Sequence, residues 1–252
     1  MSKQNITAFI STNEWISPKV RLVTLNLPSE QAMSYSPGQF ISVHLPHPDG
    51  EEKPIRRSYS IASIIPKTEA VTCIEIVLTI LEDGIASTFF DKATIGDKVE
   101  ISGPYGALTL VEELPDRLFL VATSTGVAPY RTMLPLLESI LTSDTEFDIE
   151  LILGVSSEKE SLFADDFREF SLKFPHFQFN ACYSRHTEGA LAEDEYKGYV
   201  QERLEALAPN PKNDLIYLCG NPKMVDGCTG LLTELGFSPK QVKREKYVRS
   251  KR

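Results

Sequence analysis

The chain has 252 residues, 42% hydrophobic and 24% charged, with a formal net charge of −9. That length accommodates one large or two modest domains, and the near-average composition lets apolar cores form without disulfide or metal staples, which excludes a disordered or fibrous protein. The negative charge disfavours general nucleic-acid binding, and apolar runs such as Leu118 to Ala122 fall far short of the roughly 18 residues that a membrane span requires.

At the start, Met1 to Asn5 is polar and lacks the apolar stretch of a secretory signal, so cytoplasmic residence is expected. Short segments rich in β-branched residues follow: Ile6 to Thr12, Val20 to Leu27, Phe40 to Leu45, Arg57 to Ile61, Thr72 to Ile80 and Lys98 to Ser102. Pro37-Gly38, Asp49-Gly50, Asp83-Gly84 and Gly96-Asp97 punctuate them, a pattern that predicts a small closed barrel. A short helix over about Ile85 to Lys92 interrupts the strands. Within this stretch, Arg56-Arg57-Ser58-Tyr59-Ser60 combines positive charge, an aromatic plate and a hydroxyl. Alternation points Arg57, Tyr59 and Ile61 one way and Ser58 and Ser60 the other. An arginine fork suits a phosphate and a tyrosine face suits a ring; taken alone, the segment reads equally well as a strand with a surface arginine. Gly84-Ile85-Ala86-Ser87 offers either a second grip on a pyrophosphate at a helix N-terminus or a capped surface helix.

After Leu114-Pro115-Asp116 the rhythm becomes strand then helix. Leu118 to Thr123 precedes a helix from Pro129 to Leu141, and Ile149 to Gly154 precedes a helix carrying Leu162, Phe163, Phe167 and Phe170. Phe177 to Tyr183 and Leu215 to Cys219 are further strands, and Lys223 to Leu235 a further helix. Such alternation predicts a parallel sheet with ligands at the carboxyl ends of its strands, and a tight boundary near residues 112 to 117. Thr123-Ser124-Thr125-Gly126-Val127-Ala128-Pro129 is a strand-to-helix turn whose free N–H groups suit a phosphate or carboxamide, with Pro129 read as the first helical residue. Cys219-Gly220-Asn221-Pro222 repeats the arrangement. No G-x-G-x-x-G is present, which argues against an ordinary Rossmann dehydrogenase. Cysteines 73, 182, 219 and 228 show no paired spacing, against a zinc or cysteine-ligated iron-sulfur site, and the four histidines form no ligand pattern. From Lys240 to Arg252 seven cations face a single acid, Glu245, as a solvated tail or a docking patch.

Arg57-x-Tyr59-Ser60, Gly84-x-Ala86-Ser87, Gly103-Pro104-x-Gly106, Thr125-Gly126-Val127-Ala128-Pro129 and Cys219-Gly220-Asn221-Pro222-x-Met224, with Pro37-Gly38-Gln39-Phe40, occur in one order and spacing. In these the chain resembles the ferredoxin-NADP reductase family over nearly its whole length. The resemblance implies a six-stranded antiparallel FAD-binding β-barrel over residues 1–113, followed by a Rossmann-like parallel-sheet α/β domain binding NAD(P) over residues 114–252. It also implies that Arg57, Gly84, Ala86 and Ser87 hold the flavin phosphates, that Tyr59 lies against the isoalloxazine, and that Ser60 reaches its reactive nitrogen. Thr125, Gly126, Cys219 and Gly220 line the nicotinamide pocket by the same likeness. Two grips on phosphate suit FAD better than FMN.

Two departures stand out. Ser124 occupies the place of a glycine usual in the family, and five residues follow Tyr247, where plant-type relatives end at Glu-x-Tyr. Matching that ending assigns Tyr247 to the second flavin face and Glu245 to a proton relay, beside the catalytic pair Ser60 and Cys219. Ser184-Arg185 and Tyr199-Val200-Gln201 resemble the set of NADPH-using relatives, with Arg185 on the 2′-phosphate and Tyr199 on the adenine. The family's partners imply a separate acidic ferredoxin or flavodoxin, met by Lys53, Arg56 and the basic stretch. A flavin reductase or oxygenase reductase is the alternative, and a non-catalytic flavin-binding protein on the same fold is a third reading.

Overall fold

A computed structural model of the chain describes residues 5–64, 70–143, 147–186 and 189–248. The docking role assigned to Arg249, Lys251 and Arg252 lies outside them. Strands β1 (Ile6–Ser17), β2 (Val20–Asn26), β3 (Phe40–Leu45), β4 (Ile55–Ser60), β5 (Cys73–Thr79) and β6 (Lys98–Tyr105) form one antiparallel sheet ordered β4-β3-β6-β1-β2-β5. Its two ends meet where Ile61 bridges Ile76 and the Ala62 N–H donates to the Glu75 carbonyl at 2.8 Å. That closure removes the open sheet edges that invite aggregation. Alternate residues, among them Ile6, Ala8 and Ile10 on β1 and Ile41, Val43 and Leu45 on β3, fill the interior. Helix α1 (Ile85–Lys92) has the expected bounds and inserts Phe90, fully buried, into that core.

The second sheet is parallel and ordered β10-β9-β8-β7-β11-β12. Its strands are β7 (Arg117–Thr123), β8 (Asp148–Val155), β9 (Phe177–Tyr183), β10 (Glu195–Lys197), β11 (Asp214–Gly220) and β12 (Val242–Lys246). The helices α2 (Ala128–Ser143), α3 (Ala164–Lys173), α4 (Val200–Ala206) and α5 (Pro222–Glu234) alternate with them. Leu118 to Ala122 on β7 are wholly buried, as expected of a central parallel strand covered on both faces. The fold class is thus as the sequence implies.

Three elements were not expected. β10 is three residues long and carries no aliphatic run, α4 is only seven, and β12 reads Val-Lys-Arg-Glu-Lys. β12 is an edge strand, where charge protects against further pairing and erases the apolar signature of a strand. Two bounds shift. A 3-10 turn over Ser124–Val127 precedes α2, so Pro129 is its second residue rather than its first. α3 starts at Ala164 because Phe163 takes a left-handed φ of 57°, leaving Leu162 and Phe163 ahead of the helix.

The contacts divide the chain into two compact units, one holding the residues up to Leu110 with Ala128–Pro135, the other Val111–Val127 and the residues from Leu136 on. The first turns of α2 group with the barrel through side-chain bonds: the Gly38 N–H donates to Thr132 Oγ1 at 2.9 Å, and Arg131 pairs with Glu75 at 2.8 Å.

Candidate functional site

In the first unit, β4 pairs with β3 so that Arg57 lies opposite Val43 and Tyr59 opposite Ile41. Arg57 is half-buried, yet among the described residues its guanidinium has no carboxylate partner, and it donates only to the Arg56 carbonyl at 2.9 Å. The Tyr59 ring meets Phe90 of α1 edge-on, 6.3 Å between centroids, which joins β4 to that helix. Burial pushes the Tyr59 phenol far up, with Arg57 pulling weakly the other way, so the side chain is neutral. Ser60, on the opposite face of the strand, is buried.

α1 begins at Gly84 with no side-chain cap, which leaves first-turn N–H groups for an outside acceptor. Ser87 is buried and its hydroxyl accepts from the Leu81 N–H at 2.8 Å, tightening the turn while keeping its own proton to donate. Ala86 packs into the barrel core. An unneutralised guanidinium and an uncapped helix start, joined through the Tyr59–Phe90 contact, fit a pair of phosphates.

In the second unit the strand order reverses between β7 and β11, which is where open α/β sheets take ligands. Here the two turns touch. A methyl group on Gly126 would lie 2.4 Å from the Cys219 carbonyl oxygen. Gly220 has φ +128°, and a methyl there would lie 2.5 Å from Thr123 Oγ1. That Thr123 hydroxyl accepts from the Asn221 N–H at 2.9 Å, while the Asn221 side chain accepts from Lys223 N at 2.9 Å and caps α5. Thr123 therefore ties both turns together. The sequence places Thr123 in the first turn without giving its hydroxyl a role, although a hydroxyl residue ending a buried strand before a glycine turn was the available signal. Ser124 adopts φ +49°, a left-handed backbone that favours glycine. Thr125 follows it half-buried in the same turn.

Cys219 is fully buried at the end of β11. The register of β12 sets Glu245 opposite it, and the Tyr247 N–H donates to the Gly220 carbonyl at 2.8 Å. Burial above all, and then the Glu245 charge, hold the thiol well above its ordinary range, against a hydrogen bond with the Tyr247 side chain that pulls it down. The neutral thiol is a packing and hydrogen-bonding group, not a nucleophile. Three of the four candidate catalytic residues, Cys219, Glu245 and Tyr247, thus come together, and Ser60 belongs to the first unit.

The four cysteines are unpaired, and Cys73 alone is exposed. A disulfide reagent is expected to titrate one thiol in the native protein, none in Cys73→Ser, and four in denatured wild type. A second fast thiol in the native state would contradict the burial of Cys182, Cys219 or Cys228.

At the far side of the same sheet, the Ser184 and Arg185 N–H groups donate to the Val155 and Ser156 carbonyls, each at 3.0 Å, and the Gly198 N–H donates to the Tyr183 carbonyl at 3.1 Å. Ser184, Arg185 and Tyr199 therefore gather at the carboxyl ends of β9 and β10. Arg185 is exposed with no carboxylate partner among the described residues, and Tyr199 is 62% exposed. The Gln201 amide lies beside Gly227 of α5. Of the basic stretch, Lys246 is neutralised by Asp226 at 2.6 Å, while Lys240 and Arg244 are exposed. Among the described residues no group of ligating side chains could hold a metal, and no helix is long and apolar enough to cross a membrane.

Comparison with known proteins agrees with both halves. Residues 7–110 match the oxidoreductase FAD-binding domain model and residues 120–229 the oxidoreductase NAD-binding domain model. The electron transfer component of toluate 1,2-dioxygenase from Pseudomonas putida is 29% identical, over 96% of this chain and 68% of its own length. Ferredoxin–NADP reductase B of Sorangium cellulosum is 26% identical, over 92% of this chain and 93% of its own. A crystal structure of a ferredoxin NADP+ reductase from Neisseria gonorrhoeae with bound FAD and NADP superposes with a TM-score of 0.80 at 23% identity, covering 96% of this chain and 98% of that one. With two domain models spanning most of its length in the order that the fold displays, the chain belongs to the ferredoxin-NADP reductase-like family of FAD- and NAD(P)-binding oxidoreductases.

Proposed function

We propose that this chain is an NADPH-dependent FAD enzyme that passes electrons to a separate acidic protein acceptor, a ferredoxin or flavodoxin. The observation that carries the choice of nucleotide is the exposed, acid-free Arg185 beside Ser184 and Tyr199. A ribose carrying a 2′-phosphate is matched by a cation and a hydroxyl, whereas a ribose 2′-hydroxyl is matched by an acid. In this reading residues 1–113 bind FAD and residues 114–252 bind the nucleotide. Arg57, Gly84, Ala86 and Ser87 hold the flavin phosphates, Tyr59 and Tyr247 flank the ring, and Ser60 bonds its reactive nitrogen. Thr125, Gly126, Cys219 and Gly220 receive the nicotinamide, Ser184, Arg185, Tyr199 and Gln201 the adenosine end, and Glu245 moves a proton. The bound cofactors supply hydride and single-electron chemistry, and the residues supply orientation and charge.

A second reading, the reductase component of an oxygenase, is favoured by the dioxygenase electron transfer component among the relatives. The chain spans about two thirds of that relative. The deciding experiment is purification of the yellow protein, mass identification of the heat-released flavin, and anaerobic reduction by NADPH or NADH. Electron transfer is then compared for flavodoxin, ferredoxin and an oxygenase terminal component. FAD, preferential bleaching by NADPH and a flavodoxin or ferredoxin rate that falls with salt are expected, since screening shortens the reach of Lys53, Arg56, Lys240 and Arg244. FMN alone, or activity confined to the oxygenase component, would overturn it.

A further inference from the structure

Beside the turn bearing Ser184 and Arg185 runs a strand too short to hold itself. β10 offers three residues of parallel pairing at the edge of the sheet, few ladder bonds by any standard. What fixes it is a cluster centred on Arg168 of α3. Arg168 Nε donates to Asp194 Oδ2 at 2.7 Å and Nη2 to Glu195 Oε1 at 2.9 Å. The same Glu195 oxygen accepts from the Tyr183 hydroxyl at 3.0 Å, and its other oxygen accepts from the Ala192 N–H at 3.0 Å. Tyr183 is 1% exposed and immediately precedes Ser184, so a single carboxylate joins α3, the end of β9 and the start of β10. From β10 the chain passes through Gly198, tied to the Tyr183 carbonyl, to Tyr199. The guanidinium thus braces the segments that carry both arms of the adenosine end, although it is placed on a different helix and was singled out by no motif.

The geometry points to Arg168 as a positioning residue for nucleotide specificity, holding Ser184–Arg185 and Tyr199 in register for a 2′-phosphorylated adenosine. The inference rests on Arg185 being the ligand of that phosphate. A planar fork satisfying two acids is what an ammonium cannot reproduce, so lysine restores the charge but only part of the geometry.

The test uses the FAD-loaded enzyme and measures kcat and KM with NADPH and with NADH for wild type, Arg168→Ala, Arg168→Lys and Tyr183→Phe, each alone and with Arg185→Ala. Hydrogen exchange is followed over residues 183–185 and 194–199. Arg168→Ala is expected to raise KM for NADPH about tenfold with kcat within about twofold, because a site loosened by an ångström loses binding before chemistry. KM for NADH rises less, by what Tyr199 contributes on the shared adenine, Arg168→Lys recovers part of the loss, and exchange quickens over both segments. Tyr183→Phe, which removes one hydroxyl and keeps the packing, gives a smaller rise of about threefold. In the Arg185→Ala background the Arg168 effect on NADPH should shrink to that seen with NADH, whereas a merely structural residue would add its full cost. Unchanged KM, an additive double mutant or equal losses with both nucleotides would overturn the inference alone, provided that Arg185→Ala itself discriminates. If Arg185→Ala treats both nucleotides alike, the phosphate reading fails and this inference falls with it.

Discussion

Replacing Gly126 by alanine is expected to lower kcat/KM for NADPH by at least about 100-fold while leaving the FAD content of the protein unchanged. The new methyl group would lie 2.4 Å from the Cys219 carbonyl oxygen and 2.8 Å from the Gly220 Cα, all of it backbone with no rotamer to swing aside. Relief requires the turn after β7 and the end of β11 to part by about an ångström, since ordinary contacts begin near 3.4 Å, and misplacement on that scale costs roughly 10²-fold in rate. The added strain should also cost about 1–3 kcal/mol of stability. FAD content should persist because the proposed phosphate grips, Arg57 and the Gly84 to Ser87 turn, lie on elements that Gly126 does not touch. Gly230→Ala is the control: it lies within α5, nothing stands within 4 Å of its methyl position, and removing a helical glycine should gain about 0.5–1 kcal/mol. Steady-state kinetics, flavin absorbance and thermal melts measure all three quantities. A Gly126→Ala enzyme with wild-type kcat/KM would show that this contact does not shape the nucleotide site.

The barrel was legible because its signals are local. α1 runs from Ile85 to Lys92 as expected, bounded by Gly84 before it and Thr94-Ile95-Gly96 after it, and the strands announce themselves by alternation and turn pairs. The parallel sheet was legible at its centre, where burial on both faces forces continuous apolar runs such as Leu118 to Ala122, and illegible at both edges. There β10 and β12 are specified by pairing with β9 and β11, not by their own composition. The same distinction runs through the candidate site. The turns at Gly126 and Gly220 could be read separately as strand-to-helix junctions, but their contact follows from the strand order of the sheet. The approach of Glu245 to Cys219 likewise depends on parallel register, and the Arg168 cluster on how α3 packs over β9. None of these leaves a motif, because each partner is an ordinary surface or strand residue until the fold brings them together.

The nucleotide preference gives the second large effect. Arg185→Ala is expected to reduce kcat/KM for NADPH by about ten- to a hundred-fold, because a charge-assisted hydrogen bond to a phosphate contributes roughly 1.5–3 kcal/mol. The loss with NADH should be under about twofold, since that nucleotide presents nothing for the guanidinium to bind. The geometry supports so selective an outcome. The Arg185 backbone is held independently of its side chain by the bond from its N–H to the Ser156 carbonyl at 3.0 Å, and among the described residues no acid relies on the guanidinium for neutralisation. Truncation therefore leaves no stranded partner and no buried cavity, and the melting temperature should stay close to wild type. Added salt should erode the wild-type preference for NADPH and leave the variant's ratio nearly flat, because the exposed pairing is screened. Equal losses with both nucleotides would assign Arg185 a structural role; a ratio unmoved by both mutation and salt would place the 2′-phosphate elsewhere, with Tyr199 retaining only the adenine.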